Sequence, residues 1–337
     1  MKAIPLTRAR HATNFVIALK QKGAPVERYL SRSHLPVELQ KSTFGNNMIS
    51  AVSMLDFADK AALGTGILDL GYWAGTVPIE EYGEFGRYVA QASSLYDAIQ
   101  TFCGEVRGEC SAADYYLAQN KETAWFCHGP VGDTPFGLQQ HELYALTIMR
   151  QVIQLALGSD WHPGRIRLQA TNESALSGND LLLSTNIEFG APVTAIEVPI
   201  KHLATPLLGS VKTIFSSKEA KLDESSIMQS NDPLVALHKL ISSYIQQSKQ
   251  PTIEIAAEMI GVNKRTLQRF LSSKAMTYSS LVDQVRFNLA LPLLKDESVT
   301  ITEISYELGY SNVAHFSRAF RRITGMSPKA YRHMLKQ

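Results

Sequence analysis

Two helical patterns near the C-terminal end carry side chains suited to recognition. Over Asn263–Leu271, the apolar Leu267, Phe270 and Leu271 share one face, and Arg265, Gln268, Arg269 and Ser272 share the other. Around Phe316–Arg321, Phe316, Ala319 and Phe320 face inward while Ala314, Ser317, Arg318 and Arg321 face outward. A guanidinium pairs bidentately with O6 and N7 of guanine, and a Gln amide with N6 and N7 of adenine. Each such contact is worth about 1–3 kcal/mol of discrimination. Arg265, Gln268 and Arg269 lie within about a turn of one another. The plainer reading of the same residues is a solvated basic face.

Each of these helices needs something to hold it outward, and the sequence supplies it twice. Thr252–Gly261 can be laid on Thr300–Gly309 at an offset of 48 residues. Each copy opens on a Thr at the N-cap position, and Thr300 with Glu303 forms a capping-box pattern. Small residues, Ala257 and Ser305, stand where a second helix must cross closely. Gly261 and Gly309 stand where the turn requires positive φ. Leu267 follows its glycine by six residues and Phe316 by seven, so the second turn is one residue longer. Helix, glycine turn and an amphipathic helix with an Arg-bearing outer face is the helix-turn-helix pattern. An αα-hairpin solenoid is the alternative, and two copies are few for one.

Other chemistry finds weaker support. Cys103, Cys110 and Cys127 are too few and too irregularly spaced for a zinc cage or a disulfide framework. His128, His141 and His162 make no metal spacing, and no metal or cofactor is expected. Gly64-Thr65-Gly66 lacks the rest of a nucleotide-binding fingerprint. Tyr116 and Trp125, on an expected hairpin of Ser111–Gln119 and Thr123–His128 turning at 120–122, could line an apolar pocket or fill the core. Arg150 lies in the otherwise apolar helix Gln139–Leu157. It could pair with Glu142, reach the surface, or anchor a ligand carboxylate or phosphate.

The chain has 337 residues, is 45% hydrophobic and 19% charged, and is long enough for about two domains. That composition excludes a disordered or fibrous chain. The net charge of +2 is unevenly placed. Residues 231–337 hold 14 basic and 8 acidic residues, net +6, leaving 19 and 23 in residues 1–230, net −4. A basic region following a mildly acidic one is an electrostatic footprint of nucleic-acid binding. The polar stretch Ser216–Ser226 marks a linker, and Asp232-Pro233 an N-capped helix start. The expected domains are therefore 1–215, a linker at 216–231, and 232–337. The first should be α+β. Helices are expected at Thr13–Gln21, Ala51–Leu63, Leu95–Phe102 and Gln139–Leu157, and further short strands at Arg165–Ala170 and Ala195–Ile200, in a small antiparallel sheet. No apolar run approaches a membrane span, nothing in Met1–His11 reads as a signal peptide, and the chain is expected to stay in the cytoplasm.

Residues 232–337 resemble the DNA-binding domain of the AraC family of bacterial transcription regulators. The most specific stretch is Gly309-Tyr310-Ser311-Asn312-Val313-Ala314-His315-Phe316-Ser317-Arg318-Ala319-Phe320-Arg321-Arg322, continued by Gly325-Met326-Ser327-Pro328-Lys329-Ala330-Tyr331-Arg332. The resemblance implies an all-α domain with two helix-turn-helix units joined by a long helix at about Tyr278–Lys295. It also implies base-facing positions at Arg265, Gln268 and Arg269, then Asn312, Val313, Ala314, Ser317 and Arg318. Lys264, Arg321, Arg322, Lys329 and Arg332 would then hold phosphates, which position without specifying. His315, Tyr310 and Tyr331 are expected to pack. Ala275 stands where the family has glycine, and Pro292 falls inside the connecting helix, where it removes a hydrogen bond and threatens a kink. The N-terminal part resembles, more loosely, a non-cupin sensor domain of the same family, on Phe85-Gly86-Arg87, Thr101-Phe102, Trp125-Phe126 and Glu142–Leu146.

The resemblance implies a regulator, an activator rather than an enzyme, that binds double-stranded DNA. Its expected partners are RNA polymerase, a small-molecule effector held near Tyr116, Trp125 and Arg150, and a second copy of the chain. Two alternatives stay open. One is a ligand-independent repressor or architectural DNA binder. The other is a cysteine-based repair enzyme fused to a DNA reader, which would require a reactive thiol beside His or Arg, such as Cys127 next to His128.

Overall fold

The computed structural model describes residues 4–40, 45–119, 123–130, 137–171, 185–208, 232–246, 251–274, 276–296 and 298–334. The expected turn at 120–122, the polar stretch 216–226 and Ala275 lie outside the described residues. The chain separates into two compact units, one built from 5–47 and 51–230, the other from 231–337 with short pieces at 1–4 and 48–50.

The first unit is α+β. Its helices are α1 (Ala9–Gln21), α2 (Val26–Arg32), α3 (Ala51–Thr65), α4 (Leu70–Gly75), α5 (Gly83–Ala90), α6 (Leu95–Glu105) and α7 (Leu138–Leu157). Its sheet strands are β1 (Tyr115–Gln119), β2 (Thr123–His128), β3 (Arg165–Arg167), β4 (Asn186–Glu188) and β5 (Thr194–Pro199), in the order β1-β2-β5-β3-β4. Every pair is antiparallel except β3 with β4. The four expected helices fall within α1, α3, α6 and α7. The expected strand Ser111–Gln119 shortens to β1, and Arg165–Ala170 to β3.

Helix α7 is the spine. Its buried Leu143, Leu146, Met149, Val152 and Ile153 run along one face at helical spacing. Helix α4 packs against it at close range. A Cβ at Gly71 would stand 2.0 Å from the Gln140 carbonyl oxygen, so only glycine fits there. The Gln140 side chain seals the crossing, accepting from the Gly71 N–H at 2.8 Å and donating to the Leu68 carbonyl at 2.9 Å. On the sheet side, the buried Glu142 carboxylate accepts the backbone N–H groups of Gln169 (2.7 Å) and Ala170 (3.0 Å) and the Thr194 hydroxyl (2.5 Å). Glu142 is thereby engaged with the sheet and is not the partner of Arg150.

Two histidines meet where α7 covers the sheet. His128 Nε2 on β2 lies 3.4 Å from His141 Nε2 on α7, and the Tyr115 ring packs 4.3 Å from that of His128. Burial and the neighbouring His11 push His141 down to about 4, and burial with the neighbouring His141 pushes His128 well below 6.5. Both rings are neutral in the folded chain and ionise more readily in the unfolded one. The unfolded chain therefore binds more protons below its ordinary pKa, and stability falls as pH drops from about 6.5 toward about 4. The expected slope is about 1.4 kcal/mol per pH unit for each group. Denaturant unfolding at pH 7, 6 and 5 should show this for the wild type and a flatter dependence for His141→Gln. Equal slopes would mean that the histidine pair does not set the acid sensitivity.

The second unit is all-α: α8 (Pro233–Ile245), α9 (Ile253–Met259), α10 (Lys264–Ser273), α11 (Tyr278–Lys295), α12 (Ile301–Glu307), α13 (Val313–Thr324) and α14 (Pro328–Met334). Asp232 caps α8, its carboxylate accepting the Leu234 N–H at 2.9 Å. Helix α11 runs unbroken through Pro292, which is exposed. Pro292 lies in the last turn, and the final carbonyls are caught from outside. Arg332 Nε donates to Leu294 O at 3.1 Å and its Nη2 to Leu293 O at 3.3 Å.

Candidate nucleic-acid interface

The two hairpins α9–α10 and α12–α13 are built the same way. Thr252 and Thr300 cap their first helices, accepting the N–H groups of Ile255 (3.4 Å) and Glu303 (3.1 Å). Glu303 returns the bond, its carboxylate accepting the Thr300 N–H at 2.7 Å, which completes the expected capping box. At the turns, Gly261 and Gly309 have φ of 70° and 73°. The next residue folds back in each case, Val262 N–H to Ala257 O and Tyr310 N–H to Ser305 O, both at 2.9 Å. Asn263 and Asn312 then cap the second helices, accepting the N–H groups of Thr266 and His315, both at 2.9 Å. The caps repeat at 48 residues for the threonines and 49 for the asparagines, which is the longer second turn.

These caps start α10 and α13 with a defined face outward. On α10, Leu267 and Leu271 are buried and Phe270 is half-buried, while Arg265, Gln268, Arg269 and Ser272 are exposed. On α13, Phe316, Ala319 and Phe320 are buried. Ala314, Arg318, Arg321 and Arg322 are exposed, and Val313 and Ser317 are half-buried. The inward rings form a stack: Phe316 lies 5.5 Å from Tyr310 and 5.7 Å from Phe320, which lies 5.3 Å from Tyr331 and 5.4 Å from Phe287 on α11. Tyr310 and Tyr331 thus pack as expected. His315 does not. It lies in the first turn of α13, ahead of the ring stack, and is exposed.

Four of the expected DNA contacts are engaged within the protein. Asn312 Oδ1 accepts the His315 N–H, so one of its acceptor lone pairs is spent on the cap. Arg332 grips the end of α11, as described, and is half-buried rather than displayed. Arg322 pairs with Asp283 on α11. Lys264 is also paired, with Glu254 at 2.6 Å, and its ammonium holds the Glu254 carboxyl down to about 2. That pair is half exposed, so phosphate can replace the carboxylate at little cost. Lys329 and Arg321 are exposed.

In the first unit, the side chains expected around an effector do not converge. Tyr116 pairs with Cys127 across β1–β2, and Trp125 lies two residues from Cys127, so Tyr116 and Trp125 share one sheet face. Trp125 is covered there by Arg167, 4.1 Å above its ring, and by Arg165 at 5.5 Å. The opposite face carries His128, which meets His141 of α7, and Phe126, which meets Phe102 of α6 at 5.4 Å. Arg150 belongs to α7 and so to that side. A cavity of about 260 Å³ opens elsewhere, at the start of α7, lined by Leu138, Gln139, Glu142, Leu168, Gln169, Ala170 and Thr171. No short sequence pattern marks it, because its walls come from a helix end and a strand exit.

The thiols are poorly placed for nucleophilic work. Burial pushes Cys103 up to about 12, and raises Cys110 and Cys127 as well. A reactive cysteine requires the reverse shift. Among the described residues, no group of three or more His, Cys, Asp or Glu could hold a metal ion, and no helix is long and apolar enough to cross a membrane.

Comparison with known proteins matches both units. Residues 23–207 match the arabinose-binding domain of AraC transcription regulators, N-terminal, and residues 256–334 match a helix-turn-helix domain family. The chain is 29% identical over 180 residues to the HTH-type transcriptional regulator VqsM of Pseudomonas aeruginosa, covering 47% of this chain and 55% of that one. It is 40% identical over 82 residues to the ornithine utilization regulator of the same organism, covering 24% of each. The chain therefore spans about half or less of the length of these curated relatives. Among solved structures, the transcriptional regulator CdpR from Pseudomonas aeruginosa aligns with a TM-score of 0.38 at 20% identity, over 92% of this chain and 96% of that one.

Proposed function

Because this chain belongs to the AraC family of transcriptional regulators, we propose that it is a sequence-specific DNA-binding regulator, an activator, whose second unit reads two successive major grooves. The observation that carries this reading is the pair of capped hairpins. Each buries the apolar face of its second helix and leaves arginines outward, on α10 and on α13. Two reading helices on one domain enter grooves about 34 Å apart on one side of the duplex.

Arg265, Gln268 and Arg269 supply most of the hydrogen-bonded base readout. On α13, Arg318 supplies the guanidinium and Ser317 a hydroxyl, while Ala314 and Val313 offer apolar contact to thymine methyl groups. Lys264, Arg321, Arg322 and Lys329 hold phosphates, with Lys264 and Arg322 exchanging their carboxylate partners for the DNA backbone. The N-terminal part, proposed as residues 1–215, binds a small-molecule effector or a second copy of the chain. RNA polymerase is the downstream partner. An effector acts by binding two conformations unequally, which requires no catalysis.

The test separates readout from positioning. In duplex-binding titrations over a panel of single-base site variants, Gln268→Ala should erase preference at one or two base pairs. Arg322→Ala should weaken every sequence alike and flatten the salt dependence by about one phosphate's worth of slope. A Gln268→Ala chain that weakens all sites equally contradicts the assignment of α10.

A further inference from the structure

We propose that Arg286, which is buried, is a positioning residue that fixes the second reading helix and so sets the spacing of the DNA site. It rests on the reading of α13 given above. Arg286 lies mid-way along α11 and is 8% exposed. Its Nε donates to the Leu308 carbonyl at 2.9 Å and its Nη2 to the Gly309 carbonyl at 3.0 Å. Its guanidinium carbon sits 4.2 Å from the centre of the Tyr310 ring. Leu308, Gly309 and Tyr310 are the turn between α12 and α13. One turn earlier on α11, Asp283 pairs with Arg322 of α13.

A buried guanidinium is costly unless its donors find partners, and two donors of this one are met by the carbonyls of Leu308 and Gly309, the latter the one left-handed residue of the turn. The planar fork and the flat face are used together: the fork fixes the turn along α11, and the stack on Tyr310 fixes its rotation. A lysine ammonium offers neither. The first hairpin joins α11 at the other end, where the Tyr278 hydroxyl donates to the Pro251 carbonyl at 2.6 Å. The distance and angle between α10 and α13 are therefore transmitted along α11, and Arg286 is where α13 is keyed to it. The residue specifies DNA spacing without touching DNA.

The experiment is selection from a random duplex pool with the full chain, wild type, Arg286→Met and Arg286→Lys, each checked by thermal melting. The wild type should select a two-part motif of fixed spacing. A folded Arg286→Met chain should keep the part read by α10 and lose the second part or its fixed spacing. Its affinity for the two-part duplex should drop roughly tenfold, with affinity for the first part alone unchanged. Arg286→Lys should retain the second part with a broadened spacing. Selection of the same motif at the same spacing by Arg286→Met overturns the proposal. Where Arg286→Met does not fold, unchanged spacing in Arg286→Lys overturns it equally. A wild-type chain that selects no two-part motif contradicts the reading of α13 instead, and so tells the two failures apart.

Discussion

Arg265→Ala combined with Arg269→Ala should lower affinity for the chain's selected duplex by about 30-fold or more at constant salt. Each bidentate guanine contact is worth about 1–3 kcal/mol, and even the lower figure, taken twice, gives about 30-fold. Both arginines are exposed on α10, and neither is held by an ion pair among the described residues. Their full hydrogen-bonding capacity is therefore available to a base edge. The salt dependence distinguishes the roles. Base contacts leave the slope of affinity against salt nearly unchanged, whereas two lost phosphate contacts reduce it by about two. A large loss confined to non-specific DNA, with a flattened slope, would move these residues from readout to backbone binding.

Phe320→Ala should destabilise the second unit by about 3–5 kcal/mol, a large share of a typical domain's stability. Phe320 is 2% exposed and touches Phe316, Phe287 and Tyr331, so it joins α13 to α11 and α14 at one point. The measurement is clean because all three tryptophans, Trp73, Trp125 and Trp161, lie in the first unit. Denaturant unfolding followed by far-ultraviolet circular dichroism should show an early loss of helix, while the tryptophan signal keeps its midpoint. A shift below about 1 kcal/mol in the helical phase would mean that the ring stack does not hold the unit together.

The second unit was legible in the sequence because its determinants are local. A threonine cap, a glycine at positive φ and an apolar stripe at helical spacing each act within a few residues, and their repetition at 48 residues removed the ambiguity of a single copy. What stayed hidden was long-range. Arg286 binds backbone carbonyls more than twenty residues away, and carbonyls have no sequence signature. Arg332 is the same case, a basic residue in a basic region that closes a helix end. Asn312, expected at a base edge, also caps α13 through its Oδ1. In the first unit, strand alternation sets neighbours such as Tyr115 and Tyr116 on opposite faces but does not say which face the helices cover. Tyr115 joins Phe102, Phe126 and His128 beneath the helices, while Tyr116 and Trp125 lie on the other side. Short α4 was missed because six residues are too few for periodicity, and its place depends on Gly71 meeting Gln140.

Helices α10 and α13 are proposed to occupy successive major grooves on one side of the duplex. Hydroxyl-radical footprinting of the full chain on its selected duplex tests that most directly. Two protected patches are expected, with centres about 10–10.5 base pairs apart on one face, Arg265→Ala/Arg269→Ala thinning one patch and Arg318→Ala the other. A single patch, or two patches on opposite faces of the duplex, would contradict it.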